Sequence, residues 1–556
     1  MKELFKRLFA NRILAIELVI SSLFINILGL ASSLYVIQVL NRYIANGIDA
    51  TLITLTAGVL IAIVMEFGFR QVRLKFAQGV NAEADNLLAT KAFAVLTGSK
   101  VGVLERMSTA RRREVMSSMA AVQQAYAPPN LVAVLDVPFA LLFLAVLSLL
   151  SSIIAMIVAV FLAAVLFYSL ISQGRLKKPI QALTQAGARN NALVNSVMLA
   201  ADTVRIFNAV AFLRGLWAKQ QDMTQGFRQQ VAKRQGFSQA ITQSSAALMS
   251  VVVIAVGAKL AVAGELDVGS MIGINILASR ALALITRFSQ LGTVMTKANQ
   301  SLELLEQFTT LPQELTKGVA LKEYRGRVTI KDVGFVFPGA SGPLFESLSF
   351  DLEPGGILAV TGGNGMGKTT LARLMVGLLE PMRGQILVDG VELRQVVPEW
   401  WRRQLIYFPQ EPNFFDGTIL DNLRTINPDL DQETLNRIVN ISGLEKFLSE
   451  SPKGLDTPLL NGGMNLATGI RRRLALARGL TTRGRLAIFD EPTQGLDAEG
   501  RSVVYGVLNK LAQDGCTVVV CSHDPKIFKG AGLLLNLDHK PVPKLVVTAK
   551  AATAEG

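Results

Sequence analysis

Cysteine is almost missing from the sequence, with two among 556 residues. Both, Cys516 and Cys521, stand in the strand-like run GCTVVVCSHD. No second cysteine or histidine cluster lies at zinc-ligand spacing, which excludes a disulfide framework and a structural zinc site. The two read as reduced core thiols in the cytosol. No cleavable leader is expected either. The start MKELFKRLFANR puts Lys2, Lys6, Arg7 and Arg12 ahead of an apolar stretch, but that stretch is too long and no small-residue cleavage site closes it. Residues 1–12 therefore read as a retained amphipathic elbow. Charge is missing locally, since almost all long uncharged runs fall before about residue 290 and the remainder alternates like a water-soluble α/β protein.

What is present is apolar surface in excess. Half the residues are hydrophobic and the mean hydropathy is +0.39, too apolar and too long for one soluble domain. The net charge of +14 does not indicate nucleic acid, because the basic residues flank the apolar runs, where anionic headgroups and the orientation rule account for them.

The runs make three hairpins. Ile13 to Leu40 is apolar apart from Glu17, and Leu52 to Met65 follows after the link NRYIANGIDA. Leu131 to Ile171 carries one charge, Asp136, and is long enough for two spans joined near Ser148, Ser151 and Ser152. Ala246 to Val262 and Val268 to Ile285, separated by AGELD, complete six spans. The segment from Arg70 to Tyr126 is rich in Lys and Arg and the opposite-side links are not, which puts both termini in the cytoplasm. The internal segments 70–127 and 175–237 are too long for simple loops and have few helix breakers, so they read as spans continued into the cytosol. Arg280, inside the sixth span, faces a polar cavity or pairs with a neighbouring helix or carbonyl, and the sequence leaves both open. Glu17 and Asp136, near cytoplasmic ends of their spans, read as solvated.

The pattern changes after LEQFTTLPQELTKG, placing a boundary near residue 315. The expected organisation is elbow 1–12, transmembrane domain 13–305, linker 306–325, nucleotide-binding domain 326–545 and a disordered tail 546–556. Gly362-Gly363-Asn364-Gly365-Met366-Gly367-Lys368-Thr369, followed by Thr370, fits G-x-x-x-x-G-K-[ST] between a strand and a helix. Its glycines let backbone N–H groups wrap phosphates, Lys368 adds a point charge, and Thr369 offers its hydroxyl to Mg²⁺. RLAIFDEP is an apolar strand ending in Asp490, which can hold the magnesium shell, and Glu491, which can polarise the attacking water.

From about residue 326 to 540 the sequence resembles the nucleotide-binding domain of ABC transporters. The resemblance implies a multidomain membrane protein: an all-α six-helix transmembrane domain of exporter type plus an α/β P-loop domain, using ATP and Mg²⁺. YFPQEPNFFDGTILDNL looks like the family's Q-loop segment, so Gln410 would sense the γ-phosphate and join Thr369 and Asp490 at the metal. His523, after the strand CTVVV, matches the switch histidine, and GLD at 495–497 resembles the D-loop with Asp497 at its acidic position. Phe337 occupies the adenine-stacking aromatic position, where the family usually has tyrosine.

Leu466-Ala467-Thr468-Gly469-Ile470 stands where the family signature is Leu-Ser-Gly-Gly-Gln. In the family this segment presents N–H groups and a serine hydroxyl to ATP held by the opposite subunit, and Ala467 cannot supply that hydroxyl. Losing one hydrogen bond to a charged group is worth about 1.5–3 kcal/mol, roughly ten- to over a hundredfold in rate or equilibrium. A dimer is implied, with a homodimer favoured. A heterodimer would pair this chain's Lys368, Asp490, Glu491 and His523 with an intact signature from the partner.

The opening SSLYVIQVLNRYIANGIDATL resembles the first hairpin of type I secretion permease/ATPases. That implies polypeptide export across the bacterial inner membrane by alternating access, with a periplasmic adaptor and an outer-membrane channel as partners. The chain length leaves no room for the cysteine-peptidase-like domain of some relatives. Force would pass near Glu105 to Arg113 and Ile206 to Arg214. Two alternatives stand beside this reading: half of a heterodimeric lipid, peptide or drug exporter, or an ATP-binding membrane scaffold with little hydrolysis. Six spans and a single nucleotide domain exclude a soluble translation-type ATPase.

Overall fold

In a computed structural model, which describes residues 2–340 and 342–548, the chain divides into two units. One comprises Met1–Gly98 and Arg106–Leu311, the other Ser99–Glu105 and Pro312–Gly556.

The membrane unit begins with α1 (Lys2–Ala10), which buries Leu4 and Leu8 and leaves Phe5 and Phe9 exposed, the amphipathic pattern of an elbow. Its Arg7 is 1% exposed, ion-paired with Asp85 at 2.8 Å and seated 4.5 Å over the Tyr126 ring. The helix is thereby pinned by charge, cation–π attraction and apolar burial together. The long helices that follow are α2 (Arg12–Asn46), α3 (Asp49–Gly98), α4 (Thr109–Ala125), α5 (Pro128–Leu150), α6 (Ser152–Leu199), α7 (Val210–Val262) and α8 (Val268–Thr309). All but α1 and α4 are long and apolar enough to cross a membrane, giving six candidate spans among the described residues.

At 1.5 Å per residue, α3, α6 and α7 run to about 72–80 Å, while a hydrocarbon core is about 30 Å thick, so each continues well beyond the bilayer. Their outward faces suit lipid: Ile53, Leu60, Ile61 and Val64 of α3 are exposed. Inward, Phe143, Leu147, Ile154, Leu162, Met249, Val253, Leu277 and Leu282 from four helices form one core. Close approach of α2 and α8 depends on small residues, since a Cβ on Gly273 would stand 2.3 Å from the Ile37 side chain.

Two charges expected in the spans are now placed. Asp136 is not solvated as its position suggests. It is 4% exposed and accepts from Nη1 of Arg73 at 2.9 and 3.1 Å, with Ser22 accepting from the same nitrogen at 3.3 Å. The carboxylate is buried against a guanidinium partner that lies far away in sequence on α3. Arg280 pairs with a neighbouring helix, donating from Nη2 to the Ser32 hydroxyl at 2.9 Å. Gly29 leaves room for it, because a Cβ there would stand 2.7 Å from Nη1.

The second unit has a six-stranded sheet and a four-stranded sheet. In chain order the strands are β1 (Val328–Phe335), β2 (Phe345–Leu352), β3 (Ile357–Thr361), β4 (Arg383–Val388), β5 (Val391–Glu392), β6 (Leu405–Phe408), β7 (Gly417–Thr418), β8 (Pro458–Leu459), β9 (Leu486–Asp490), β10 (Thr517–Cys521), β11 (Leu533–Asn536) and β12 (Lys544–Val547). The larger sheet runs β12-β11-β3-β10-β9-β6, parallel except for β12, and the smaller runs β2-β1-β4-β5, antiparallel. Strands β9 and β10 are buried at every position, as a central parallel strand covered on both faces requires. Cys516 and Cys521 are buried and free.

The short segment Ser99–Glu105 counts with this unit: Lys100 pairs with Glu380 at 2.6 Å and Glu105 with Arg373 at 2.5 Å. Two boundaries read from the sequence are corrected. Helix α8 continues to Thr309, past the linker start at 306, because its apolar face still buries Leu305 and Phe308. Strand β12 reaches Val547, past the tail start at 546, because it pairs with β11 as far as Leu533. Residues 549–556 of the expected tail lie outside the described residues.

Candidate active site

The site forms where the parallel sheet ends. Strand β3 stops at Thr361, the glycine-rich loop turns, and α9 (Lys368–Met375) begins. Gly367 at its N-cap has φ 106°, and a Cβ there would meet Leu344 at 2.8 Å, so the turn admits only glycine. The loop ends on a helix N-terminus whose free N–H groups favour an anion.

Lys368 is buried among four partners. Its Nζ donates to the carbonyls of Gly362 at 2.6 Å and Gly363 at 3.4 Å, to Nε2 of His523 at 2.6 Å, and pairs with Oε1 of Glu491 at 3.2 Å. Nε2 of His523 lies 3.4 Å from the same carboxylate oxygen. Thr369 donates from its hydroxyl to Oε1 of Gln410 at 3.2 Å, and Gln410 donates onward to Gln494 at 3.4 Å.

Asp490, at the end of β9, is wholly buried, and neither of its carboxylate oxygens has a hydrogen-bond partner of ordinary geometry. Burial pushes its pKa up, with the Thr369 hydroxyl and the Lys368 charge pulling the other way. An orphaned, buried carboxylate beside a hydroxyl and an amide oxygen is a hard-oxygen donor set, which fits Mg²⁺. Glu491 follows at φ 47°, a left-handed conformation unusual for glutamate, fixed by its N–H bond to the Cys521 carbonyl at 2.8 Å. Burial raises the Cys521 thiol pKa well above its ordinary value, with Asp490 and Glu491 adding to the rise.

The remaining expected residues lie apart from this cluster. Phe337 is 44% exposed and sits edge-on to Phe335 at 5.0 Å, leaving a ring face open. Asn364 and Gly365 are exposed on the loop, Met366 is half-buried, and Thr370 is buried inside α9. Ala467 and Thr468 are exposed at the start of α10 (Thr468–Leu480), with Leu466 and Gly469 half-buried. Asp497 is exposed and caps α11 (Ala498–Gln513) by accepting from the Gly500 N–H at 2.8 Å. Among the described residues no hydrogen bond or ion pair joins 466–470 to the phosphate loop.

Besides Gln494, two residues at the site escaped the sequence reading. Arg472, buried on α10, donates from Nη1 to the Glu491 carbonyl at 3.0 Å and from Nη2 to the Gln410 carbonyl at 3.1 Å, and burial lowers its pKa. One guanidinium thus ties α10 to the backbone of both Glu491 and Gln410. Asp538, two residues past β11, accepts from the loop N–H of Gly363 at 2.7 Å. Of these, only Arg472 carried a signal, being an arginine in the helix that follows the signature.

Residues 15–282 match the family described as ABC transporter transmembrane region, and residues 345–494 match the ABC transporter family. The alpha-hemolysin translocation ATP-binding protein HlyB of Escherichia coli O157:H7 is 25% identical over 531 residues, 95% of this chain and 75% of that protein. The toxin RTX-I translocation ATP-binding protein of Actinobacillus pleuropneumoniae is 24% identical over 526 residues, 94% of this chain and 74% of that one. A solved bacterial Atm1-family ABC exporter with ATP bound superposes with a TM-score of 0.85 at 18% identity, covering 98% of this chain and 96% of its own.

Proposed function

The chain belongs to the ABC transporter family, a multi-pass membrane exporter that couples ATP hydrolysis to transport, and on that premise we propose that it exports a polypeptide as the inner-membrane component of a type I secretion system. The observation that supports the cargo class is the similarity, along 95% of the chain, to a protein named for alpha-hemolysin translocation. Both termini then lie in the cytosol, and a periplasmic adaptor and an outer-membrane channel complete the route.

The residues divide the chemistry as follows. The loop 362–370 cradles the phosphates of ATP, and Phe337 stacks on adenine. Thr369, Gln410 and Asp490 would hold Mg²⁺, which when bound would neutralise developing charge on the phosphates. Before ATP arrives, Lys368 is held by Glu491, His523 and the loop carbonyls. The γ-phosphate draws Lys368 and His523 away, and Glu491 is freed to polarise water. Arg472 keeps Glu491 in register with Gln410.

Exporters of this kind act as dimers, and a homodimer is the state proposed for this chain. Leu466, Ala467, Thr468, Gly469 and Asp497 then face ATP held by the second copy. Glu105 carries closure towards the spans through Arg373. Ile206, Phe207 and Phe212 are each more than 70% exposed and lie in the second segment proposed to pass force, Ile206 to Arg214.

A second reading, half of a heterodimeric exporter, is favoured by Ala467, which opens its helix without a side-chain cap. The test is the set of polypeptides in the medium of cells lacking the chain. Loss of one or a few, restored by the wild-type chain and not by Glu491→Gln, is the expected result. An unchanged medium alongside altered lipid or drug export favours the second reading, and no change in either favours a nucleotide-binding scaffold.

A further inference from the structure

Outside the transport cycle, the membrane unit carries a basic groove that neither ATP nor the span packing explains. Helices α6 and α7 border a cavity of about 600 Å³ lined by Ile171, Arg175 and Lys178 from one helix and Phe227, Gln230 and Arg234 from the other. The spacings are i, i+4, i+7 and i, i+3, i+7, so each set forms a single stripe. No carboxylate lines the groove, and none of Arg175, Lys178 and Arg234 is in an ion pair among the described residues.

One cation is fixed by a defect in the backbone. Pro179 lies inside α6 and has no N–H, so the Arg175 carbonyl four residues earlier loses its helical donor. Nη1 of Arg234 donates to that carbonyl from the facing helix. The guanidinium is therefore held across the groove, with no other hydrogen bond from it among the described residues, while Gly174 adds no side chain to fill the space.

Depth selects the ligand. From Ser152 to Ile171 the helix rises about 30 Å, the thickness of a hydrocarbon core, so Arg175 and Lys178 come one to two turns later, at headgroup level. Three unbalanced cations beside an apolar wall of Ile171 and Phe227 match a phosphate that carries acyl chains. We propose that this groove binds the phosphate headgroup of an anionic phospholipid, its first acyl carbons lying against Ile171 and Phe227.

The test uses the full chain in detergent with short-chain phosphatidylglycerol or phosphatidylcholine as probe. Wild type is expected to prefer phosphatidylglycerol. Arg175→Gln with Lys178→Gln is expected to weaken phosphatidylglycerol binding about thirtyfold and leave phosphatidylcholine unchanged. Arg175→Lys with Lys178→Arg keeps the charge and is expected to bind as wild type, as is Arg228→Gln, which lies off the groove. Unchanged lipid preference in the double glutamine variant overturns the proposal, and so does loss of binding in the charge-preserving variant. Equal displacement by inorganic phosphate assigns the groove to a free anion, and displacement by an acidic peptide without lipid preference assigns it to cargo. Either outcome overturns the lipid assignment.

Discussion

Replacing Ala467 by serine should make the nucleotide domain both more stable and faster. Ala467 is the N-cap of α10, with φ −57° and ψ 145° and no side-chain hydrogen bond to the first turn. That is already the extended conformation a capping serine takes, and the side chain is exposed, so the hydroxyl needs no backbone movement to reach the N–H of Gly469 or Ile470. The gain is about 1 kcal/mol, which for a unit of this size raises Tm by roughly 2–4 °C. The same hydroxyl restores a hydrogen bond to charged phosphate across the dimer, worth about 1.5–3 kcal/mol, so turnover should rise roughly ten- to a hundredfold. Ala467→Gly separates the two effects, since glycine caps nearly as well as serine but has no hydroxyl. Calorimetry and phosphate release on the three proteins are the assays. If serine and glycine raise Tm alike and turn over alike, the hydroxyl is not what the signature lacks and the reasoning fails.

Asp490→Asn should stabilise the nucleotide-free chain by about 1–3 kcal/mol, because it removes an unpaired buried charge, while abolishing Mg²⁺-dependent hydrolysis. A lower Tm would contradict this. Asp136→Ala should cost about 3–5 kcal/mol by stranding Arg73, whereas Asp136→Leu combined with Arg73→Met should be close to neutral, as read from thermal unfolding in detergent. Burial holds the Cys521 thiol protonated, so maleimide at pH 8 should leave it unmodified in the native chain and label it only after denaturation, as read by mass spectrometry.

The spans and the phosphate loop were legible because each is a local pattern: an uncharged run for the former, glycines at fixed spacing before Lys368 for the latter. Asp490 and Glu491 were legible for the same reason, as the polar end of an apolar strand. Asp136 was misread because its burial depends on Arg73, a partner on another helix that no local pattern identifies. The bonds made by Arg472 and Asp538 belong to the same class: both join strand ends or loops brought together only by the sheet order. The rescue of the Arg175 carbonyl by Arg234 is likewise tertiary, although Pro179 marks the vacancy in the sequence.

The central claim is an ATP-hydrolysing dimer whose base is Glu491. It is tested most directly by purifying this chain alone in lipid nanodiscs and measuring its oligomeric state and ATP turnover, with and without Glu491→Gln. The account predicts a homodimer with slow, measurable hydrolysis that the substitution abolishes. A homodimer that binds ATP and does not hydrolyse it, or turnover that survives the substitution, would contradict it.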